Sequence, residues 1–262
     1  MNSGGLIAAH RGNRAVAPEN TLAAFRKSIG RCDLIELDVQ LSRDGVPVVI
    51  HDETLERTSN VSEFEELRVR KPWPVNGFTL DELKGFDFGS WFHREDPFGQ
   101  LLGHHPDVEE SYAGELIPTL EEVLHFAYEN EMLLNVEIKD MHGLHDDETV
   151  VRSIVGMIED MGCADRVLLS SFYHPYMKLA KEVAPQVPAS ALQELVHPDD
   201  LLQYLHSLKV DGYHLDDAIT DRETVSLLKS EGFFVGVYTV NDKARREELF
   251  SWGVDAVFTD LP

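Results

Sequence analysis

The sequence has little positive charge, little cysteine and no long apolar segment, and each shortage excludes a class of function. It carries 23 lysines and arginines against 47 aspartates and glutamates, a formal net charge of -24. Such a chain repels nucleic-acid backbones and anionic lipid surfaces, so we expect neither a nucleic-acid partner nor a stable association with membranes. A site for an anionic substrate must therefore create its own local positive charge with a metal ion, arginine or lysine.

The first nine residues contain no basic segment and no long apolar run. They predict neither a signal peptide nor a membrane anchor, which favours a cytoplasmic location. The two cysteines, Cys32 and Cys163, lie far apart and match no metal-binding spacing. Because disulfides are rare in the cytoplasm, both are predicted to be buried free thiols.

Short apolar segments alternate with amphipathic ones along most of the chain. Eight are predicted to be strands, at residues 6–9, 34–39, 133–138, 167–171, 188–192, 212–215, 234–239 and 256–259. A further run, 46–50, follows a turn too short for a parallel crossover, so it should return as a hairpin partner. Asn20 is predicted to cap a helix that turns Leu22, Phe25 and Ile29 inward, and Thr119 to precede another. Eight parallel strands with intervening helices, in 262 residues, indicate a TIM barrel of the α/β class.

The segment from about residue 53 to 115 interrupts this alternation. It is rich in proline and glycine, with aromatic residues between them. We interpret it as a small subdomain inserted after the second barrel strand, within one domain of residues 1–262, because the aromatics can form a core. It leaves the barrel directly after His51, so we expect it to lie beside the rim and shape a pocket there. Trp91 and Phe92 are interpreted as its core, with a pocket wall as the alternative.

Two strands carry pairs of polar residues on a common face. Period two places Glu36 with Asp38, and Glu137 with Lys139. In a TIM barrel the C-terminal ends of the strands form one rim, where catalytic groups lie. Since unpaired carboxylates repel each other, we predict that Glu36, Asp38 and Glu137 hold one hard cation, with Lys139 beside it. The alternative is an exposed strand face.

Further polar motifs are distributed along the chain. They are His10-Arg11-Gly12, Pro18-Glu19-Asn20-Thr21, Glu36-Leu37-Asp38, an apolar run into His51-Asp52, Glu137-Ile138-Lys139 and the segment 253–260. Together they resemble the glycerophosphodiester phosphodiesterase family, most closely its bacterial cytoplasmic members, and the resemblance extends over essentially the whole chain. One departure is Tyr238, where members commonly carry tryptophan, which affects the expected pocket rather than the metal site.

The resemblance implies hydrolysis of glycerophosphodiesters to sn-glycerol 3-phosphate and an alcohol such as choline or ethanolamine, in glycerophospholipid breakdown. It implies that Glu36, Asp38 and Glu137 bind a divalent cation. Three carboxylates without cysteine favour Mg²⁺ or Ca²⁺ over zinc.

The same resemblance implies that His10 and His51 act as general acid and base, a role suited to a side chain whose ordinary pKa is about 6.5. It also implies that Arg11 and Lys139 bind the non-bridging phosphate oxygens. Arg11 could instead be a structural partner of Glu19.

Two other functions remain as alternatives. One is a TIM-barrel glycosidase with Glu36 and Glu137 as its carboxylate pair; Asp38 and Lys139 speak against it. The other is a barrel that binds a phospholipid head group without turnover. The complete set of two histidines and three carboxylates speaks against that one.

Overall fold

A closed sheet forms the centre of the protein, seen in a computed structural model that describes residues 4–101, 103–109 and 111–262. Within these residues there are nine strands: β1 (Leu6–Ala9), β2 (Leu34–Leu41), β3 (Pro47–Val49), β4 (Leu133–Ile138), β5 (Val167–Ser171), β6 (Ala189–Gln193), β7 (Gly212–Asp216), β8 (Phe234–Tyr238) and β9 (Ala256–Thr259). Eight are parallel neighbours, and β1 pairs with both β2 and β9, which closes the barrel. The predicted TIM barrel is confirmed.

The ninth strand, β3, runs antiparallel to β2, with Val39 opposite Val49. This confirms the predicted hairpin. The turn that joins the two strands is too short to cross over a parallel sheet, so the chain can only return beside β2.

Helices connect most of the barrel strands and cover the outside of the barrel. In the described residues they are α1 (Leu22–Arg26), α2 (Leu80–Leu83), α3 (Ser90–Glu95), α4 (Leu120–Glu129), α5 (Asp147–Asp160), α6 (His174–Val183), α7 (Leu201–Leu208), α8 (Arg222–Ser230) and α9 (Lys243–Trp252), together with 3-10 helices at Val61–Glu63, Glu65–Arg70, Val75–Gly77 and Asp217–Ile219. None of the described helices combines the length and apolar character needed to cross a bilayer.

The helix predicted to follow Thr119 is confirmed, and Thr119 is its N-cap. Its hydroxyl accepts a hydrogen bond from the Glu122 N–H, and the Glu122 carboxylate accepts one from the Thr119 N–H, a reciprocal capping box.

The cap predicted at Asn20 is wrong. Thr21 caps α1, because the Asn20 side chain is engaged by Asp38 on the neighbouring strand. The helix also ends at Arg26, so Ile29 lies beyond it and is 43% exposed rather than packed inward.

Alternation along the strands separates an apolar shell from a polar interior. Ile35, Leu37 and Val39 pack outward in a large core with helix residues such as Val123 and Ile154. The residues between them on β2 therefore point into the barrel. The main core thus lies between strands and helices, and one end of the barrel interior is left for polar side chains.

The segment 53–115 consists of short helices and turns whose apolar side chains are shared with the rest of the protein. One cluster joins Trp73 and Phe78 to Val48 on β3. A second joins Trp91, Phe92 and Tyr112 to three alanines in and before α1. Trp91 and Phe92 are almost fully buried, in keeping with the interpretation as core. The division into barrel and subdomain stays a prediction.

The two cysteines are both free thiols. Cys163 is buried as predicted, whereas Cys32 is half-buried. Burial raises the pKa of both thiols, so neither is poised as a thiolate at neutral pH.

Candidate active site

A cavity of about 450 Å³ lies at the C-terminal ends of the barrel strands. Six of the seven predicted site residues line it: His10, Arg11, Glu36, His51, Glu137 and Lys139. The seventh, Asp38, is 1% exposed and lies behind them. The rim of a TIM barrel therefore brings together residues that are more than a hundred positions apart in sequence.

Three carboxylates converge at one point of the cavity wall. Asp38 on β2 is paired in register with Glu137 on β4, and Glu36 precedes Asp38 on the same face. Each of the three offers one oxygen, and these oxygens lie within 4.8 Å of one another. All three side chains are largely buried. The cluster is an all-oxygen donor set of the kind that Mg²⁺ and Ca²⁺ prefer.

Two cationic side chains lie within 4 Å of this cluster in the described chain. Lys139 Nζ is 2.7 Å from Glu137 Oε1 and 3.5 Å from Asp38 Oδ1. Arg11 Nε is 3.4 Å from Asp38 Oδ2, and the Arg11 backbone N–H donates to Glu36 Oε2 at 2.8 Å. Three carboxylates thus face two positive charges.

The pKa values of the carboxylates reflect this imbalance. Burial, together with the neighbouring charges of Asp38 and Glu137, raises the pKa of Glu36 well above its usual range. Burial and Asp38 also raise the pKa of Glu137. For Asp38 burial acts in the same direction, but Arg11 and Lys139 outweigh it and lower its pKa. The protein's own cations neutralise Asp38 and leave the other two carboxylates short of positive charge, which fits a site for a divalent cation.

Each histidine of the cavity is held by an aspartate at one ring nitrogen. His10 Nδ1 lies 2.7 Å from Asp260 Oδ1, and His51 Nδ1 lies 2.8 Å from Asp52 Oδ1. Because an ionised carboxylate only accepts hydrogen bonds, Nδ1 carries the proton, which leaves Nε2 of the neutral ring as the nitrogen that can accept one.

Further side chains fix the two aspartates. Asn241 donates to Asp260 Oδ2 at 2.9 Å, and Arg57 Nε donates to Asp52 Oδ2 at 2.7 Å. These supporting residues were not predicted as site residues. Asp52 and Asp260 belong to motifs that carried the family resemblance, but nothing local in the sequence pairs Asp260 with a histidine 250 residues away.

Burial lowers the pKa of His10 below its usual value, and the nearby Arg11 charge acts in the same direction. The hydrogen bond to Asp260 opposes these effects without cancelling them. At neutral pH the His10 imidazole is therefore mostly neutral, the form that can accept a proton.

Glu19 connects three arginines beneath the site. Its carboxylate lies 2.9 Å from Arg11 Nη1, 2.7 Å from Arg14 Nη2 and 2.7 Å from Arg57 Nη2. The predicted alternative contact of Arg11 with Glu19 is therefore present. Arg11 also lines the cavity, so its phosphate-binding role stays a prediction.

The segment 53–115 does not line the cavity, within its described residues. The expectation that it shapes the pocket is therefore wrong for this part, because most of its aromatic side chains pack in the shared core clusters. It contributes instead through Arg57, which holds both Asp52 and Glu19. It does lie beside the rim, but as support for His51.

The Glu19 carboxylate predicts a specific dependence of stability on pH. Burial alone would raise its pKa, but the Arg57 hydrogen bonds and the charges of Arg11 and Arg14 lower the pKa to about 2. A lowered carboxylate pKa contributes stability that is fully present above the unfolded value of 4.5 and is lost as pH falls towards 2. Glu19→Gln should therefore reduce the free energy of unfolding by about 3 kcal/mol at pH 7, and by less at pH 3.

Urea unfolding of both proteins at the two pH values measures this difference. Glu223→Gln, at an exposed position in α8, is the matched control and should leave stability nearly unchanged. An equal loss at pH 7 and pH 3 would mean that packing, rather than charge, accounts for the effect.

Comparison with known proteins gives a consistent result. The sequence model of the glycerophosphoryl diester phosphodiesterase family matches residues 10–262. A glycerophosphodiester phosphodiesterase of Caldanaerobacter subterraneus is 34% identical over 262 aligned residues, covering 98% of this chain and 94% of that protein. One of Bacillus altitudinis is 32% identical, with 98% and 94% covered.

A solved structure is similar in both fold and sequence. It is an Oleispira antarctica phosphodiesterase in complex with the product sn-glycerol-3-phosphate, with a TM-score of 0.81 and 31% identity, covering 98% of this chain and 93% of that one.

Proposed function

This chain belongs to the glycerophosphoryl diester phosphodiesterase family and hydrolyses glycerophosphodiesters to sn-glycerol 3-phosphate and an alcohol. We propose that this reaction uses one divalent cation and the histidine pair His10 and His51. The observation that supports this most is the convergence of three carboxylates and both histidines on one cavity. A glycosidase or a non-catalytic head-group binder would not account for the family membership.

The proposed cation is Mg²⁺ or Ca²⁺, held by Glu36, Asp38 and Glu137. Oxygen-only ligands and the unbalanced charge of the three carboxylates support this assignment. When bound, a divalent cation polarises a phosphoryl oxygen and offsets its developing charge, an effect of several kcal/mol.

Lys139 and Arg11 are proposed to bind the non-bridging phosphate oxygens. Both line the cavity and both carry N–H groups beyond those used by the carboxylates. Their positive charge holds the diester in place and stabilises the additional negative charge that develops on its oxygens.

The substrate carries its own nucleophile, because a glycerol hydroxyl lies next to the phosphate. Positioning such a neighbouring group can lower the barrier by roughly 7–11 kcal/mol. We assign His10 Nε2 the role of base, since its lowered pKa favours the neutral form. His10 Nε2 accepts the proton of the neighbouring glycerol hydroxyl while the hydroxyl oxygen forms its bond to phosphorus.

His51 completes the first step as the general acid. The bond from phosphorus to the departing alcohol breaks, and protonated His51 gives its proton to that alcohol oxygen. The product of this step is a cyclic glycerol phosphate. Water then opens the ring with the histidine roles reversed, which yields sn-glycerol 3-phosphate and restores both side chains. Asp260 and Asp52 hold the Nδ1 atoms of His10 and His51, which fixes the orientation of each ring for proton transfer at Nε2.

Removal of the cation should abolish turnover and leave the fold intact. Chelator should eliminate activity, and added Mg²⁺ or Ca²⁺ should restore it. Glu36→Gln should lose both activity and calorimetric metal binding while its melting temperature is maintained, because the site lies at the rim rather than in the packed core. Glu129→Gln, exposed at the end of α4, is the control. Full activity in protein shown to be free of metal would contradict the proposal.

The leaving group should distinguish the two histidines. A glycerol diester of p-nitrophenol releases a weakly basic alcohol that needs no acid. His51→Ala should therefore lose about 10²- to 10⁴-fold on the choline diester and recover most of that loss with the nitrophenyl diester. His10→Ala should lose activity on both.

For each variant, the initial rate of p-nitrophenol release from one diester is compared with the initial rate of choline release from the other. His125→Ala, at an exposed position on α4, is the control. Recovery by the His10 variant instead would reverse the assignment. Wild-type rates in both variants would remove the histidines from the mechanism.

The neighbouring hydroxyl should be essential for catalysis. A diester in which hydrogen replaces it should bind as a competitive inhibitor and hardly turn over, because no nucleophile is then held against phosphorus. Hydrolysis at the rate of the natural diester would show that water attacks directly and that no cyclic intermediate forms.

A further inference from the structure

The floor of the cavity is a row of buried polar side chains that the mechanism above does not use. Asn135, Ser170, Ser190 and His214 lie on the successive strands β4, β5, β6 and β7. Ser170 and Ser190 are paired in register. Asn135, Ser170 and His214 line the cavity, and all four residues are at most 1% exposed. Four consecutive strands thus carry buried polar groups, and three of these groups line the same cavity.

Several polar atoms of this floor have no hydrogen-bond partner among the described residues. They are Asn135 Oδ1, Ser190 Oγ and both ring nitrogens of His214. Asn135 is partly engaged, since its Nδ2 donates to Ser170 Oγ at 2.8 Å. A buried polar group without a partner costs about 1–3 kcal/mol. Such a concentration of unpaired groups is expected where a polar ligand supplies the partners.

His214 is held in a shaped pocket of its own. Its ring lies 4.9 Å from the ring of Phe258 and 6.0 Å from that of Phe234, measured between centroids. Gly236 on the neighbouring strand provides the room, because a Cβ there would lie 2.7 Å from His214 Cδ2. Burial lowers the pKa of His214 to about 3. The ring is therefore neutral and offers one N–H donor and one acceptor.

The chemistry of the floor selects a neutral ligand. A neutral imidazole, an amide oxygen and hydroxyl groups suit an alcohol, which both donates and accepts hydrogen bonds. These neutral groups would not compensate the charge of a buried phosphate or ammonium group. The apolar side chains of Leu192 and Phe258 line the same cavity and can contact a short carbon chain.

The depth of the floor matches one part of the substrate. Asn135 precedes Glu137 by two residues on β4, so it lies about 7 Å from Glu137 along the strand towards the inner end of the barrel, and it is paired in register with Glu36. A molecule with its phosphate at the charged rim and a three-carbon chain directed inward would bring its terminal hydroxyl towards this level. The exposed Phe172 and Glu194 line the cavity as well and leave the departing alcohol an open side.

We propose that His214 and Asn135 bind the terminal hydroxyl of the glycerol moiety and so determine specificity for glycerophosphodiesters. The inference rests on the proposed function. It assigns the inner end of the cavity to glycerol and the open end to the departing alcohol. Held at its far end, the glycerol would present its neighbouring hydroxyl to phosphorus.

The test pairs two substrates with variants of His214. The second substrate is the propane-1,2-diol diester, which keeps the neighbouring hydroxyl but has hydrogen in place of the terminal one. The wild type should lose roughly 10- to 100-fold in kcat/KM on this analogue. His214→Phe should lose the same factor on the natural diester and nothing further on the analogue. His214→Gln, which keeps a donor and an acceptor, should retain part of the discrimination.

Tyr238→Phe is the matched control, since it removes another unpartnered polar atom from a residue that lines the same cavity but is not one of the four floor residues. It should preserve the discrimination between the two substrates. Melting temperatures establish that each variant is folded.

Calorimetric binding of sn-glycerol 3-phosphate and of its analogue without the terminal hydroxyl gives a readout independent of turnover. Equal affinity of the wild type for both, or equal losses by folded His214→Phe on both diesters, would overturn the inference and leave only buried water on the floor. If the wild type hydrolyses no glycerophosphodiester, the proposed function fails, and the binding comparison still decides the role of His214.

Discussion

The structure of the site depends on the cost of burying three carboxylates at one point. Glu36, Asp38 and Glu137 are brought together by the register of β2 and β4, and their oxygens lie within 4.8 Å of one another. Uncompensated, such charges would be protonated or would open the barrel. Arg11 and Lys139 compensate part of this charge. The remaining deficit supports the proposal that the cluster holds an external cation rather than forming a structural ion-pair network.

The positive side chains need anchoring in turn, and Glu19 provides it. Glu19 forms ion pairs with Arg11, Arg14 and Arg57. Arg14 and Arg57 also contact the two aspartates that hold the histidines. Arg14 lies 3.3 Å from Asp260, and Arg57 contacts Asp52. One buried carboxylate therefore links both cavity histidines to the cluster of three carboxylates. The segment after His51 supplies Arg57, which contacts Asp52 and Glu19 and so supports the position of His51.

Sequence patterns predicted the barrel because its causes are local. Period-two alternation fixes which face of each strand is apolar, and the spacing of the strands leaves room for parallel crossovers. The same alternation placed Glu36, Asp38 and Glu137 on inward faces. The motif resemblance then gave the two histidines their roles.

The errors arose where tertiary contacts override local preference. Asparagine is a residue type that often caps helices, but the Asn20 side chain donates a hydrogen bond to Asp38, and Thr21 caps α1 instead. The aromatic residues around Trp91 could equally have lined a pocket, and only packing against the alanines near α1 decides for a core. The polar floor leaves no local signal either, since His214 reads as part of an apolar strand. Its lack of partners becomes visible only when the strands close.

The acidity of the whole chain and the charge of its substrate can be reconciled at this site. A chain with net charge -24 repels a phosphodiester at long range. Within a Debye length, however, the positive charges of Arg11 and Lys139, the proposed phosphate ligands, would attract it. Both are already partly neutralised by Asp38, so a cation on the carboxylates would free their charge for the phosphate. Each of the two ligands then lowers the cost of binding the other, and linkage requires this coupling to be reciprocal. An acidic protein can in this way confine its affinity for anions to the one place where a cation is also held.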